Sequence, residues 1–123
     1  MKPVCLVIGA GAGIGGTVGK RFAREGYHAV LCRRTDQEGL DRLGGSIEGE
    51  GGSASGYLLN AVEPDSIEAR ITAVEADIGP IEVVVFNLGA QIGDRALADT
   101  TYKAFEMGWR MATFALFRVA STL

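Results

Sequence analysis

Two hydrophobic rhythms alternate along the chain. Short, largely apolar stretches at 4–8 (VCLVI), 28–33 (HAVLCR), 55–60 (SGYLLN) and 81–86 (IEVVVF) predict β-strands. Between them, apolar residues recur at helical spacing. Ile14, Val18 and Phe22 predict a helix closed by Gly26; Leu40, Leu43 and Ile47 predict a second, ending in the glycine-rich segment 49–53. Pro64 and Asp65 open a third, carried by Ile67, Ile71, Val74 and Ile78 and stopped at Gly79-Pro80. A loop is expected over 87–99, and the proline-free stretch from Thr100 to Leu123 reads as one long helix.

Strands that alternate with helices build βαβ units, hence a parallel sheet with right-handed crossovers. Runs this apolar suit strands covered on both faces. The expected class is therefore α/β: a doubly wound parallel sheet inside a three-layer α/β/α sandwich, with all four strands buried.

The junction between the first strand and the first helix carries Gly9, Gly11, Gly13, Gly15 and Gly16. Glycine gives up more backbone freedom on folding than any other residue, so this density needs a reason. A strand turning straight into a helix aims free N–H groups and a positive dipole end at the space above the sheet. A pyrophosphate fits there if no side chain keeps it off the backbone. A P-loop is excluded, because Gly19-Lys20 is followed by Arg21 and Ile14 stands where the first glycine belongs. The strand–turn–helix setting points to a dinucleotide, with Gly9, Gly11, Ala12, Gly13, Ile14 and Gly15 lining it, in a Rossmann-like fold.

The end of the second strand bears on which dinucleotide. An acid there would accept from the ribose 2′-OH of NAD, whereas arginine accommodates the 2′-phosphate of NADP. This strand ends Cys32-Arg33-Arg34-Thr35, with no acid before Asp36. Guanidinium pairs phosphate through two parallel charge-assisted bonds, so Arg33 and Arg34 favour NADP over NAD.

Composition removes other classes. The net charge of −3 offers no basic footprint, so nucleic acid is not an expected partner. No apolar run approaches the roughly 20 residues of a membrane span, and no signal peptide stands at the N-terminus. Cys5 and Cys32 lie in apolar strands without further ligands nearby, and are expected as buried thiols in a cytoplasmic protein.

In combination these features resemble the short-chain dehydrogenase/reductase family, over essentially the whole chain. Gly9-x-x-x-Gly13-Ile14-Gly15 is similar to its glycine motif. Asn87-Leu88-Gly89 resembles the Asn-Ala-Gly segment that borders the cofactor, which implicates Asn87 and Gly89. Asn60, with Ala61 beside it, stands where the family usually has an aspartate near the adenine ring. The resemblance implies hydride transfer between a nicotinamide cofactor and a small carbonyl or alcohol substrate. It also implies a homo-oligomer, because the helix from Thr100, with Phe105, Trp109 and Phe117, is apolar on more than one face and commonly lies at a two-fold interface.

The departures from the family pattern are specific. Ile8 replaces the usual threonine and Phe86 the usual asparagine; if the two strand ends are neighbours, one apolar contact has replaced a polar one. The family's catalytic asparagine falls near Ala112, and its serine, tyrosine and lysine would lie beyond residue 123. Tyr102-Lys103 does not reproduce the Tyr-x-x-x-Lys pair, and His28 opens a strand as an ordinary edge histidine. Residues 1–123 are therefore expected to form one dinucleotide-binding domain, the cofactor half of a longer protein of roughly 250 residues that would also cover the apolar edge of the fourth strand. A non-catalytic NAD(P)-binding module is the alternative, and a ligand-free α/β domain a third reading.

Overall fold

The computed structural model describes residues 2–88 and 96–123. Four parallel strands, β1 (Val4–Ile8), β2 (His28–Arg33), β3 (Ser53–Leu58) and β4 (Ile81–Phe86), form a sheet in the order β3-β2-β1-β4. Helices α1 (Ile14–Arg24), α2 (Gln37–Gly49) and α3 (Ser66–Asp77) connect them, and α4 (Tyr102–Trp109) and α5 (Ala115–Thr122) follow.

Strand alternation divides the core in two. Val4, Leu6, Ile8, Val30 and Cys32 face α3 and α5 through Ile67, Ile71, Val74, Ala115 and Val119. Cys5, Val7, Ala29 and Leu31 face α1 and α2 through Ala23, Leu40 and Ile47. The sheet is thus doubly wound and three-layered, with each face burying its own apolar stripe.

The central pair β1 and β2 is buried almost throughout, whereas β3 and β4 are only partly buried. The expectation of four buried strands fails at the outer two because they are the sheet's edges among the described residues. β3 also begins and ends two residues earlier than its apolar run, since its first four residues are Ser53, Ala54, Ser55 and Gly56. Asn60 therefore follows the strand rather than ending it.

The first helix packs differently from its stripe. Its buried residues are Gly15, Gly16, Gly19 and Ala23, while Ile14 is 71% exposed. A Cβ on Gly19 would come 2.8 Å from Leu31 Cδ2 and 3.6 Å from Val7 Cγ2. Helix α1 lies close on the sheet because glycine, not a large apolar side chain, faces it.

The long final helix is interrupted by a π turn over Arg110–Phe114. In an unbroken α-helix residues five apart point about 140° away from each other. The wider turn brings Trp109 and Phe114 into a stack, with centroids 5.1 Å apart and planes 5° from parallel. It also changes which face is covered: α4 buries no residue, while α5 seats Ala115 and Val119 in the core.

Both thiols are free and buried, on opposite faces of the sheet. Burial pushes Cys5 up to about 11 and Cys32 up to about 12, the latter against the pull of Arg70. His28 bridges β2 to β3, with Nδ1 2.9 Å from Ser53 Oγ and Nε2 2.8 Å from Ser55 Oγ.

Desolvation, followed by the Lys2 charge, lowers the His28 pKa against the opposing effect of Glu48. A folded pKa below the unfolded one means the neutral ring supports the fold. That support is present above the ordinary value of 6.5 and is lost as pH falls through the folded pKa. His28 is the single histidine, so its ring proton resonance should titrate with a midpoint below 6.5. A midpoint at or above that value contradicts this environment.

Candidate functional site

At the C-terminal end of β1 the backbone turns at Gly9, whose φ is +96°. The Gly9 and Ala10 amides both donate to Cys32 O, at 2.9 and 2.8 Å, which pins the turn to β2. On the other side Asn87 N donates to Ile8 O at 2.8 Å and Asn87 Nδ2 to Gly9 O at 3.5 Å. Three strand ends therefore meet at this one turn.

The glycines divide by what surrounds them. A Cβ on Gly9 would run into Asn87 O, one on Gly15 into Gly9 O, and one on Gly16 into Gly11 O. These three are structural: no side chain fits between backbones this close. Among the described residues nothing lies within 4 Å of a Cβ placed on Gly11 or Gly13. That open space over backbone is what a pyrophosphate needs.

Helix α1 also starts without a capping side chain among the described residues. Its N-cap is Gly13, and no acid stands in its first turn. In α2 and α4, by contrast, Asp36 accepts from Gly39 N and Thr101 from Ala104 N, while α3, also without a side-chain cap, carries Glu68 in its first turn. The uncapped N–H groups and dipole of α1 are left for whatever binds above the glycines.

A cleft of about 310 Å³ opens beside this turn, between α1 and α2. Gly11 and Ala12 line it, as do Arg33, Lys20 and Arg42. Arg33 is visible in the sequence as a strand-end residue; the other two cations are not, because they come from two helices. One signal was available: Asp36, Gly39 and Arg42 repeat every three residues, which places them along one side of α2.

Arg34 and Asn60 lie elsewhere. Together with Ala61, Leu88, Met107 and Met111 they line a second cleft of about 410 Å³. The two neighbouring arginines thus serve different clefts. Asn60 Oδ1 accepts from Val62 N at 3.2 Å, shaping the loop after β3.

That loop is clamped from α5. Arg118 meets Glu68 through Nη2–Oε1 at 2.6 Å and Nε–Oε2 at 3.0 Å, and donates to the carbonyls of Ala61 at 2.6 Å and Glu63 at 3.1 Å. The hydrogen bonds from Arg118 hold Glu68 below the usual carboxylate range, and Glu68 in turn raises Arg118. A bidentate pair with two further carbonyls fixes Ala61 at the floor of the second cleft.

Ile8 and Phe86 are register partners between β1 and β4, and Phe86 packs against the cluster that holds Ile8. The two departures from the family pattern are therefore one contact, apolar on both sides. Ala112 is exposed inside the π turn, and Tyr102, beside Lys103, is 97% exposed. Gly89 lies outside the described residues.

The parallel sheet and its strand–glycine–helix turn define a Rossmann-like α/β protein. Residues 3–123 match the short chain dehydrogenase family, to which this chain belongs. It is similar to the gluconate 5-dehydrogenase of Gluconobacter oxydans (strain 621H), 38% identical over 86 residues, covering 70% of this chain and 33% of that protein. Two solved structures superpose over 98% of this chain. An actinorhodin polyketide ketoreductase with NADPH gives a TM-score of 0.88 at 30% identity over 46% of its own length. A metagenomic short-chain oxidoreductase in complex with NADP gives 0.92 at 26% over 54%. The chain thus spans about a third of the curated relative and about half of the solved chains. The family uses NAD(P), and both of these neighbours were solved with the phosphorylated form. No helix among the described residues is long and apolar enough to cross a membrane.

The division of the glycines predicts opposite outcomes for the same substitution. Gly15→Ala should cost about 3 kcal/mol of unfolding free energy, the upper end of overpacking. Gly13→Ala, with open space around it, should change stability by less than about 1 kcal/mol. Urea unfolding of the two variants checks this; equal losses would mean that the close approach at Gly9 does not constrain the turn.

Proposed function

We propose that this chain is the cofactor-binding part of an NADP-dependent oxidoreductase that moves hydride between the nicotinamide and a small carbonyl or alcohol. The convergence of Arg33, Lys20 and Arg42 on the cleft beside the open glycines carries this reading. NAD has no group that calls for three cations there; NADP has a phosphate.

Each residue has a task in this proposal. Gly11 and Gly13 let the pyrophosphate reach the backbone, and the uncapped start of α1 supplies N–H donors and positive dipole. Arg33, supported by Lys20 and Arg42, holds the 2′-phosphate. Arg34, Asn60 and Ala61 line the adenine side, and Asn87, bonded to Gly9, keeps the end of β4 against the turn. The bound cofactor itself supplies the hydride chemistry. A cytoplasmic location is part of the proposal, and the two free, buried thiols support it.

A non-catalytic NAD(P)-binding module remains the second reading, and the observation that favours it is Ala112. This residue stands where the resemblance puts an asparagine, and it offers no polar side chain. Turnover by the full protein separates the two. A homo-oligomer is part of the proposal as well: Phe105, Trp109, Leu116 and Phe117 are all exposed on the last helices, an apolar surface that a second copy would cover.

Calorimetric titration of the full chain tests the cofactor assignment. NADPH should bind more tightly than NADH. Arg33→Ala should lose about 1.5–3 kcal/mol of NADPH binding, the scale of hydrogen bonds to a charged group, with NADH nearly unchanged. Gly13→Val should remain folded and bind neither. Equal affinities for the two cofactors, or full affinity in folded Gly13→Val, would contradict the assignment.

A further inference from the structure

Asp36 faces the same cleft as the three cations and carries the opposite charge. We propose that Asp36 is a specificity-determining residue that tempers the preference for NADP by holding Arg33 as a removable counter-charge. This rests on the cofactor reading above.

The pair is built into the backbone. Arg33 Nη1 lies 3.4 Å from Asp36 Oδ2, and the arginine side chain is only 26% exposed. The other carboxylate oxygen, Oδ1, accepts from Gly39 N at 3.0 Å and caps α2. Asp36 takes this position with φ of 72°, in the left-handed region that asparagine and aspartate tolerate better than other side chains. One carboxylate thus serves the helix with one oxygen and the arginine with the other.

Gly39 makes room for it. A Cβ there would press on Asp36 Oδ2 and come 2.7 Å from Arg33 Nη1. A larger residue at this position would therefore displace the ends of both side chains of the pair. Lys20 and Arg42 line the same cleft, and no salt bridge among the described residues engages either.

Two ligands would meet this arrangement differently. A 2′-phosphate carries close to two negative charges and competes with the carboxylate for Arg33. A bidentate hold that includes Nη1 competes with Asp36 for Arg33, and the phosphate also feels the repulsion of that carboxylate. A ribose 2′-OH has no charge with which to compete, so Arg33 keeps its partner. Asp36 therefore weakens NADP binding selectively and narrows the gap between the two cofactors.

Asp36→Asn is the direct test, since asparagine keeps the helix cap and tolerates the same backbone while removing the charge. Asp36→Ser retains a capping oxygen by a different route, and circular dichroism verifies the fold of both. Titration of the full chain with NADPH and NADH should show NADPH binding tightened roughly three- to tenfold, the scale of freeing a partly exposed ion pair and removing its repulsion of phosphate. NADH affinity should stay within about twofold by the same argument. An unchanged ratio of the two affinities overturns the role of Asp36 and leaves the cofactor reading standing. Weakened NADH binding with NADPH unaltered overturns it too, because Asp36 would then be holding the ribose hydroxyl. Failure of the unaltered chain to bind either dinucleotide removes the cofactor reading, and this inference with it.

Discussion

The close approach of backbone to backbone at the end of β1 is the constraint on which the rest of the structure depends. There is no room for a Cβ between Gly9 and the Asn87 backbone, between Gly15 and Gly9, or between Gly16 and Gly11. These close approaches set the tight strand-to-helix turn and draw α1 onto the sheet. They also leave the N-terminus of α1 pointing over bare backbone at Gly11 and Gly13. One steric fact thus sets both the helix packing and the uncapped helix start that the proposed cofactor site uses.

Much of the fold could be read from the spacing of apolar residues, because central strands and helix stripes follow burial directly. The limits of that reading have physical causes. β3 starts with small residues, so its apolar stretch lay two positions too late. The helical spacing marks Ile14 as a core position, yet glycines do the packing on α1 and Ile14 is exposed. The π turn at 110–114 leaves no mark in the apolar spacing, and the stack it makes joins two side chains that an ordinary helix would hold apart. The neighbouring of Ile8 and Phe86, by contrast, was legible as a paired departure, because two partners in a parallel register had changed polarity together.

The candidate site was legible where it follows the chain and hidden where it does not. The glycine run and Arg33 are local features. Lys20 and Arg42 join them only because α1 and α2 pack side by side on one face of the sheet. The separation of Arg33 from Arg34 has the same origin: successive residues leaving a strand diverge, so one arginine lines the glycine cleft and its neighbour the cleft by Asn60. The clamp of Arg118 on Glu68, Ala61 and Glu63 ties that second cleft to the last helix, and needs tertiary structure to be seen at all.

The central claim is that the open glycine turn and the cationic cleft beside it form one dinucleotide site. A crystal structure of the full chain with NADP tests it most directly. The account predicts the pyrophosphate over Gly11 and Gly13 at the start of α1, with the 2′-phosphate against Arg33. Phosphates bound away from the turn, for instance in the cleft lined by Trp109, Phe114 and Arg110, would contradict it.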